Sequence, residues 1–134
     1  MHAAWNRTRP TIHHAQLLTP MPTCIFCQII ASERPSQKLY SDELATAFRD
    51  IHPAAPTHVL VVPNRHIASV NELTPADEGL IGHLFTVARL VAEQEGIQHA
   101  GYRLIVNTGP NAGQAVFHLH LHVLGGQRMR FAMG

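Results

Sequence analysis

The sequence is poor in the features that mark several large classes of protein. Only 14% of its 134 residues are charged and the formal net charge is +1, so no broad basic surface for nucleic acid is expected. No apolar run approaches the roughly 18 residues that a membrane span needs. Two cysteines are too few to define a secreted disulfide scaffold. These absences favour one cytoplasmic globular domain that binds neither nucleic acid nor membrane.

The first 21 residues differ in composition from the rest of the chain. They contain Arg7, Arg9 and several histidines, but no acidic residue and no apolar periodicity. The segment lacks the apolar stretch of a secretory signal and is poorly amphipathic for an organellar transit peptide. We expect a disordered extension over residues 1–21 and a folded domain over residues 22–134, with Met21 as an alternative start.

Hydrophobic periodicity predicts an α+β domain with a mostly antiparallel sheet of about five strands, because the strands are not regularly separated by helices. One long helix is predicted over residues 75–95, with Thr74 as its N-cap and Gly96 just after its end. A short helix capped by Thr23 precedes the sheet. Strands are predicted over residues 44–51, 58–62, 102–107 and 117–124.

The most informative segment contains three histidines that alternate with aliphatic residues, His118, His120 and His122. Side chains of a strand point alternately to opposite faces, so the three imidazoles would share one face while Leu119 and Leu121 enter the core. Two kinds of chemistry suit such a row. One is metal binding, although a ligand at i+4 lies too far along a straight strand to share one zinc ion with the first.

The other chemistry is phosphoryl or nucleotidyl transfer. An imidazole can attack phosphorus, and neighbouring imidazoles can assist the leaving group and hold the phosphoryl oxygens. A loop rich in turn residues, 108–113, precedes the row and can bring backbone N–H groups to a phosphate. A purely structural role for three aligned histidines is disfavoured, because imidazoles are costly to bury without partners.

The run HLHLHVL over residues 118–124 is similar to the signature of the histidine triad (HIT) superfamily. The resemblance extends through GQAVF at 113–117, LGG at 124–126, FRDIHPAAPTH at 48–58, PNRHI at 63–67 and IFCQII at 25–30. The LGG ending resembles the Hint branch, the purine nucleoside phosphoramidases. A third histidine is unlike the hexose-1-phosphate uridylyltransferase branch, which has glutamine there.

This resemblance implies a homodimer whose two sheets join, acting on purine nucleoside monophosphate derivatives by hydrolysis of a P–N bond without a catalytic cofactor. It implies that His120 is the nucleophile, that His122 contacts the phosphoryl oxygens, and that His118 and His58 orient His120. The nucleotide-binding residues that it implies are Phe26, Ile29, Phe48, Asp50, Ile51, Asn107, Gly113, Gln114, Ala115 and Val116. From periodicity alone, four members of this set are ordinary core residues, namely Phe26, Ile29, Phe48 and Ile51.

Two residues depart from the family pattern. Ala115 stands where many Hint-like proteins have a serine, which puts the rate and the leaving-group preference in question. Arg34 falls where the family often has an aliphatic residue near the base, which puts the base preference in question.

The pair Cys24 and Cys27 has three interpretations: a redox pair, two inert thiols, or half of a structural zinc site. Some bacterial members of the superfamily resemble the third, and the ligands here would be Cys24, Cys27, His66 and His118. Three further functions stay open, namely a dinucleoside polyphosphate hydrolase, a nucleotide-binding regulatory module with little turnover, and a zinc hydrolase that uses the histidine row.

Overall fold

The computed structural model describes residues 23–131, so the expectation for residues 1–21 lies outside the described part of the chain. Within these described residues there are two α-helices and five strands, together with three short 3-10 turns, which confirms the predicted α+β class. In chain order the helices and strands are α1 (Ile25–Ile30), β1 (Lys38–Ser41), β2 (Ala45–Arg49), β3 (Thr57–Pro63), α2 (Glu78–Gln94), β4 (Tyr102–Ile105) and β5 (Leu121–Gly125).

The five strands form one antiparallel sheet in the order β1-β2-β3-β5-β4. Its register aligns one residue from each of four strands directly across the sheet. His122 on β5 pairs with Leu60 on β3, Leu60 pairs with Phe48 on β2, and Phe48 pairs with Lys38 on β1. Residues directly opposite each other lie on the same face of a sheet. We call this set the transverse row.

Helix α2 covers the opposite face of the sheet and forms the main core with it. Leu84, Val87 and Val91 are buried against Val61 and Leu121 from the strands. The predicted start of this helix is three residues too early, because Pro75–Asp77 form a 3-10 turn with Thr74 at its N-cap, and α2 begins at Glu78 with Asp77 at its own N-cap position. Asp77 Oδ2 accepts a hydrogen bond from the Thr74 backbone N–H (2.9 Å), which stabilises this turn. The helix ends where Gly96 takes a positive φ of 73°, the left-handed conformation that glycine adopts without steric cost.

Helix α1 lies against the other face, where Phe26 and Ile29 form a smaller cluster with Phe48 and Leu60. The predicted cap, Thr23, is not the residue that caps this helix. Cys24 occupies the N-cap position, and its Sγ accepts a hydrogen bond from the Cys27 backbone N–H at 3.4 Å. A thiol is a weak acceptor, so propensity alone does not indicate this cap.

The predicted histidine strand is shorter than expected, because β5 begins only at Leu121. The next residue of β3 in position to hydrogen-bond with an extended β5 is Pro63, opposite Leu119, and proline has no N–H to donate to a ladder. The backbone N–H of Leu119 instead donates to Ile67 O at 2.7 Å, outside the sheet. His118 and His120 therefore precede the strand, although Leu119 and Leu121 still enter the main core as the alternation predicts.

Strand β1 was not among the individually predicted elements. Its four residues KLYS are half-buried or exposed and show no strong apolar alternation. Within residues 23–131, no helix combines the length and the apolar composition that crossing a membrane requires.

Candidate active site

A cleft of about 560 Å³ opens on the α1 face of the sheet. Its walls come from α1, the end of β2, the loop before β5, and the histidine segment. Eleven of the residues that the sequence singles out line it together: Phe26, Ile29, Phe48, Asp50, Ile51, Asn107, Gly113, Ala115, Val116, His120 and His122. Residues more than 90 positions apart in the chain thus meet at one apolar cavity with a polar end.

Three of the predicted catalytic and nucleotide-binding residues do not line the cleft. His58 and His118 lie behind the wall and contact the histidines that do. The side chain of Gln114 is buried, and its amide joins Gly109 N, Ala68 O and Val116 O. Gln114 therefore stabilises the conformation of the loop, and its side chain does not line the cavity.

The hydrogen bond of His120 defines which of its ring nitrogens carries the proton. His120 Nδ1 lies 2.7 Å from the backbone carbonyl oxygen of His118. A carbonyl only accepts, so Nδ1 must carry the hydrogen, and Nε2 of the neutral ring then holds a lone pair. The ring is buried and packs edge-on against Phe26, with centroids 5.1 Å apart. His120 thus offers a fixed, unprotonated nitrogen at the cleft.

A second chain of hydrogen bonds defines the proton positions of His58 and His122. The backbone N–H of Ala54 donates to His58 Nδ1 at 2.9 Å, so the proton of His58 is on Nε2. His58 Nε2 donates in turn to His122 Nδ1, also at 2.9 Å. The proton of neutral His122 is therefore on Nε2, an atom that is buried and has no hydrogen-bond partner within the described residues. His122 lines the cleft with its ring centroid 5.0 Å from that of His120, so this N–H without a protein partner belongs to the ring next to the one that carries the lone pair.

Burial keeps these imidazoles neutral, as the two hydrogen-bond chains require. Desolvation lowers the pKa of His120, opposed by its hydrogen bond to His118 and by the charge of Asp50. Desolvation, with His120 and His58 nearby, lowers the pKa of His122 to about 4. The pKa of His58 is also lowered, chiefly by burial, although Asp50 lies 3.4 Å from its Nε2 and acts in the opposite direction. A neutral nucleophile and a neutral donor are thus both present at pH 7.

Directly behind His120, four side chains converge in a geometry that fits a zinc ion. The ligand atoms of Cys24, Cys27, His66 and His118 all lie within 4.8 Å of one another. His118 Nδ1 is 3.4 Å from Cys24 Sγ and 3.6 Å from Cys27 Sγ, and His66 Nδ1 is 3.4 Å from Cys27 Sγ. Tetrahedral Zn–S and Zn–N bonds imply S···N separations of about 3.5 Å.

The proton position of His118 agrees with a role as a metal ligand. Its Nε2 lies 2.8 Å from Pro63 O, so Nε2 donates and Nδ1 holds a lone pair facing the two sulfurs. The four residues thus form a donor set of the Cys₂His₂ type. Among the described residues, a second group of metal-binding types, Asp50, His58 and His122, fits less well because Nε2 of His58 carries a proton.

Several residues of the cleft were not found from the sequence. Leu60 forms its floor between Phe48 and His122, and Ile25, Pro35, Ser36, Arg49 and His52 complete the walls. The signal for Leu60 was available, since it alternates with the residues of β3 that face α2. Segment 34–36 has no periodicity; the family resemblance placed Arg34 near the base, and Arg34 does line the cleft, but no sequence signal indicated Pro35 and Ser36.

Comparison with known proteins identifies the family of the chain. The family model described as "HIT domain" matches residues 31–129. The chain is a member of the HIT family. Purine nucleoside phosphoramidase of Escherichia coli K12 is 52% identical over 103 residues, which are 77% of this chain and 87% of that protein.

Solved structures of HIT proteins have the same fold. A HIT family hydrolase from Legionella pneumophila superposes with a TM-score of 0.81 at 41% identity, covering 84% of this chain and all of that one. A histidine triad protein from Clostridium difficile gives a TM-score of 0.83 at 36% identity, covering 86% and 100%. The family and the fold predicted from the sequence are confirmed, and so is the expectation of a hydrolase of the HIT family.

Proposed function

We propose that this HIT hydrolase cleaves the P–N bond of purine nucleoside phosphoramidates and releases the nucleoside monophosphate and an amine. The observation that carries the proposal is the pair of fixed tautomers, a lone pair on His120 Nε2 beside a hydrogen on His122 Nε2. The similarity to a purine nucleoside phosphoramidase supports the class of substrate.

In the first step, His120 Nε2 attacks phosphorus and forms a new P–N bond to the imidazole. The bond from phosphorus to the amine breaks, and the amine leaves with the electron pair and takes up a proton from water. His122 Nε2–H donates a hydrogen bond to a phosphoryl oxygen as its negative charge increases. His58 holds His122 in the required tautomer throughout.

In the second step, water attacks the phosphorus of the nucleotidyl-histidine. The P–N bond to His120 breaks, the lone pair returns to Nε2, and the proton lost by water goes to solvent. The hydrogen bond from His120 Nδ1 to His118 O persists and stabilises the cationic ring of the intermediate. No metal ion or cofactor takes part in either step.

The nucleoside fits the remainder of the cleft. Asp50 lines the cleft with its Oδ2 3.4 Å from His58 Nε2, and its carboxylate can accept hydrogen bonds from ribose hydroxyls. Phe26 and Phe48 provide the aromatic surface for a purine, with ring centroids 5.3 Å apart at a 69° angle. Ile51, which is 81% exposed, lies at the rim of the base site.

Replacement of the proposed nucleophile tests the mechanism. His120→Ala should lower the rate of AMP or GMP release from the corresponding phosphoramidates at least about 10³-fold, because no other lone pair faces phosphorus. The matched control is His99→Ala, an exposed histidine outside the cleft. Retention of most of the activity by His120→Ala would refute the nucleophile. Faster cleavage of dinucleoside polyphosphates than of phosphoramidates by the unaltered protein would favour the alternative hydrolase.

We also propose a structural zinc ion held by Cys24, Cys27, His66 and His118. When bound, it would join α1 to the segment that carries the His118 carbonyl and thereby hold His120. The purified protein should contain about one zinc ion per chain by elemental analysis. Cys27→Ser should lose most of it and unfold at a lower temperature. Full-length protein that takes up no zinc from a zinc-buffered solution would contradict this site.

The homodimer remains a proposal that two features support. Strand β4 ends the sheet and has a partner on one side only. Phe85 on α2 and Val106 after β4 are apolar residues that are 48% and 38% exposed, and a second copy would cover such residues at an interface. Sedimentation equilibrium should give the mass of two chains, and Phe85→Asp should shift the protein towards one.

A further inference from the structure

Arg34 lies on the wall of the cleft at the side away from the histidines. The residues that follow it, Pro35 and Ser36, also line the cleft, and Lys38 then begins the edge strand β1. Gln37 O accepts a hydrogen bond from the backbone N–H of Arg49 at 3.0 Å, which holds this segment beside the end of β2. The transverse row therefore leads from His122 across Leu60 and Phe48 to the segment that carries Arg34.

The spacing of the sheet defines what Arg34 can reach. Neighbouring strands lie about 4.8 Å apart, so β2 is about 10 Å and β1 about 14 Å from β5. On the proposed function, the phosphate lies at His120 and His122, and the base lies over Leu60 and Phe48. The edge of the base that points away from the ribose then faces the β1 side, where Arg34 lines the cleft.

The guanidinium of Arg34 is oriented but not neutralised. Its Nε donates to Gln28 Oε1 at 3.1 Å, which fixes the direction of the planar group. Arg49 and Arg65, in contrast, are paired with the carboxylates of Glu95 and Asp77. Within residues 23–131, no carboxylate forms an ion pair with Arg34 and no acceptor is hydrogen-bonded to its Nη atoms. The Nη hydrogens are thus available to a ligand in the cleft.

Purines differ at the positions that such a group would meet. Guanine and hypoxanthine have an oxygen at C6 beside N7, which gives two acceptors that match the guanidinium fork. Adenine has an amino group at C6, which brings a donor against the donors of Arg34. A methyl or aliphatic group at this wall would not distinguish the two.

We propose that Arg34 is a specificity-determining residue that binds the O6 and N7 acceptors of the base, so that this chain prefers 6-oxopurine nucleotides to adenine nucleotides. This rests on the proposed function, since it places the phosphate at the histidines. Arg34 contacts the base and takes no part in the chemical step.

The test measures the dissociation constants of GMP, IMP and AMP by calorimetry, and kcat/KM for guanosine and adenosine phosphoramidates. In the unaltered protein GMP and IMP should both bind about tenfold more tightly than AMP, because one bidentate contact discriminates between bases by at least about this factor. IMP lacks the 2-amino group of GMP, so equal binding of the two identifies O6 as the recognised atom. Arg34→Met, which keeps the length of the side chain, should reduce the ratio to about one.

Lys38→Met is the matched control, because it removes a nearby cation that does not line the cleft, and it should leave the ratio unchanged. The proposal is overturned if AMP binds as tightly as GMP, if IMP binds like AMP, or if Arg34→Met weakens GMP and AMP equally, as simple stacking would. Selective binding of 6-oxopurines without hydrolysis would support Arg34 and contradict the proposed reaction. Absence of binding by all three nucleotides would overturn both.

Discussion

The two faces of the sheet differ in chemistry although the same strands build both. The face under α2 is a continuous aliphatic core, with Val59, Val61 and Val123 completely buried. The face under α1 has a small cluster around two phenylalanines, the five histidines of the two hydrogen-bond chains and the cysteine cluster, two cysteines and the cleft. One face therefore provides most of the apolar burial, and the other keeps polar groups in fixed positions beside an open cavity.

In the histidine segment, successive side chains alternate between the two faces of the sheet. The α2 core buries Leu119, Leu121 and Val123. The histidines of the same segment contact α1, the cysteines of the proposed zinc site and the cleft. A segment anchored by large aliphatic residues on one side can hold imidazoles on the other without further support. Stability and chemistry should then respond to different substitutions in the same few residues.

The largest effect is expected on the cleft side. His122→Ala removes the only cleft-facing N–H donor of the His58–His122 chain, and should lower kcat about 10²- to 10⁴-fold for a phosphoramidate substrate. Because the side chain contributes little to the α2 core, the urea midpoint of unfolding should change only slightly. A rate within threefold of the unaltered protein would mean that His122 is a packing residue after all.

Substitution of Leu121, the residue before His122, should lower stability and leave nucleotide binding nearly unchanged. Leu121 is 1% exposed in the α2 core, and Leu121→Ala should lower the free energy of unfolding by about 2–5 kcal/mol in urea titrations. The affinity for a nucleoside monophosphate should change little under conditions in which the variant is folded. If Leu121→Ala instead lost nucleotide binding in proportion to stability, the two faces would not be separable.

The two faces also differ in how far the sequence predicts them. The stripe of α2 and the strands that it covers follow from periodicity, since their burial is a repeating pattern. The α1 face depends on single contacts between distant segments. The hydrogen bond from Leu119 to Ile67, the Cys24 cap of α1 and the position of segment 34–36 have no local signal. The alternation correctly separates His120 from Leu121, but it overstates the length of β5.

The smallest effects are expected from glycine substitutions in and just after α2, which act through backbone conformation alone. Gly96→Ala forces a side chain into the left-handed conformation at φ +73°, where the added Cβ meets nothing within 4 Å, so only backbone strain of about 1 kcal/mol is expected. Gly82→Ala is the matched change inside the same helix, with equally open space and an ordinary φ. It should stabilise the protein by about 0.5–1 kcal/mol. Opposite shifts of the urea midpoint, with unchanged nucleotide affinity in both variants, would show that the stability of α2 can change without a change in the cleft. A change in affinity in either variant would mean that the two faces are coupled through the sheet.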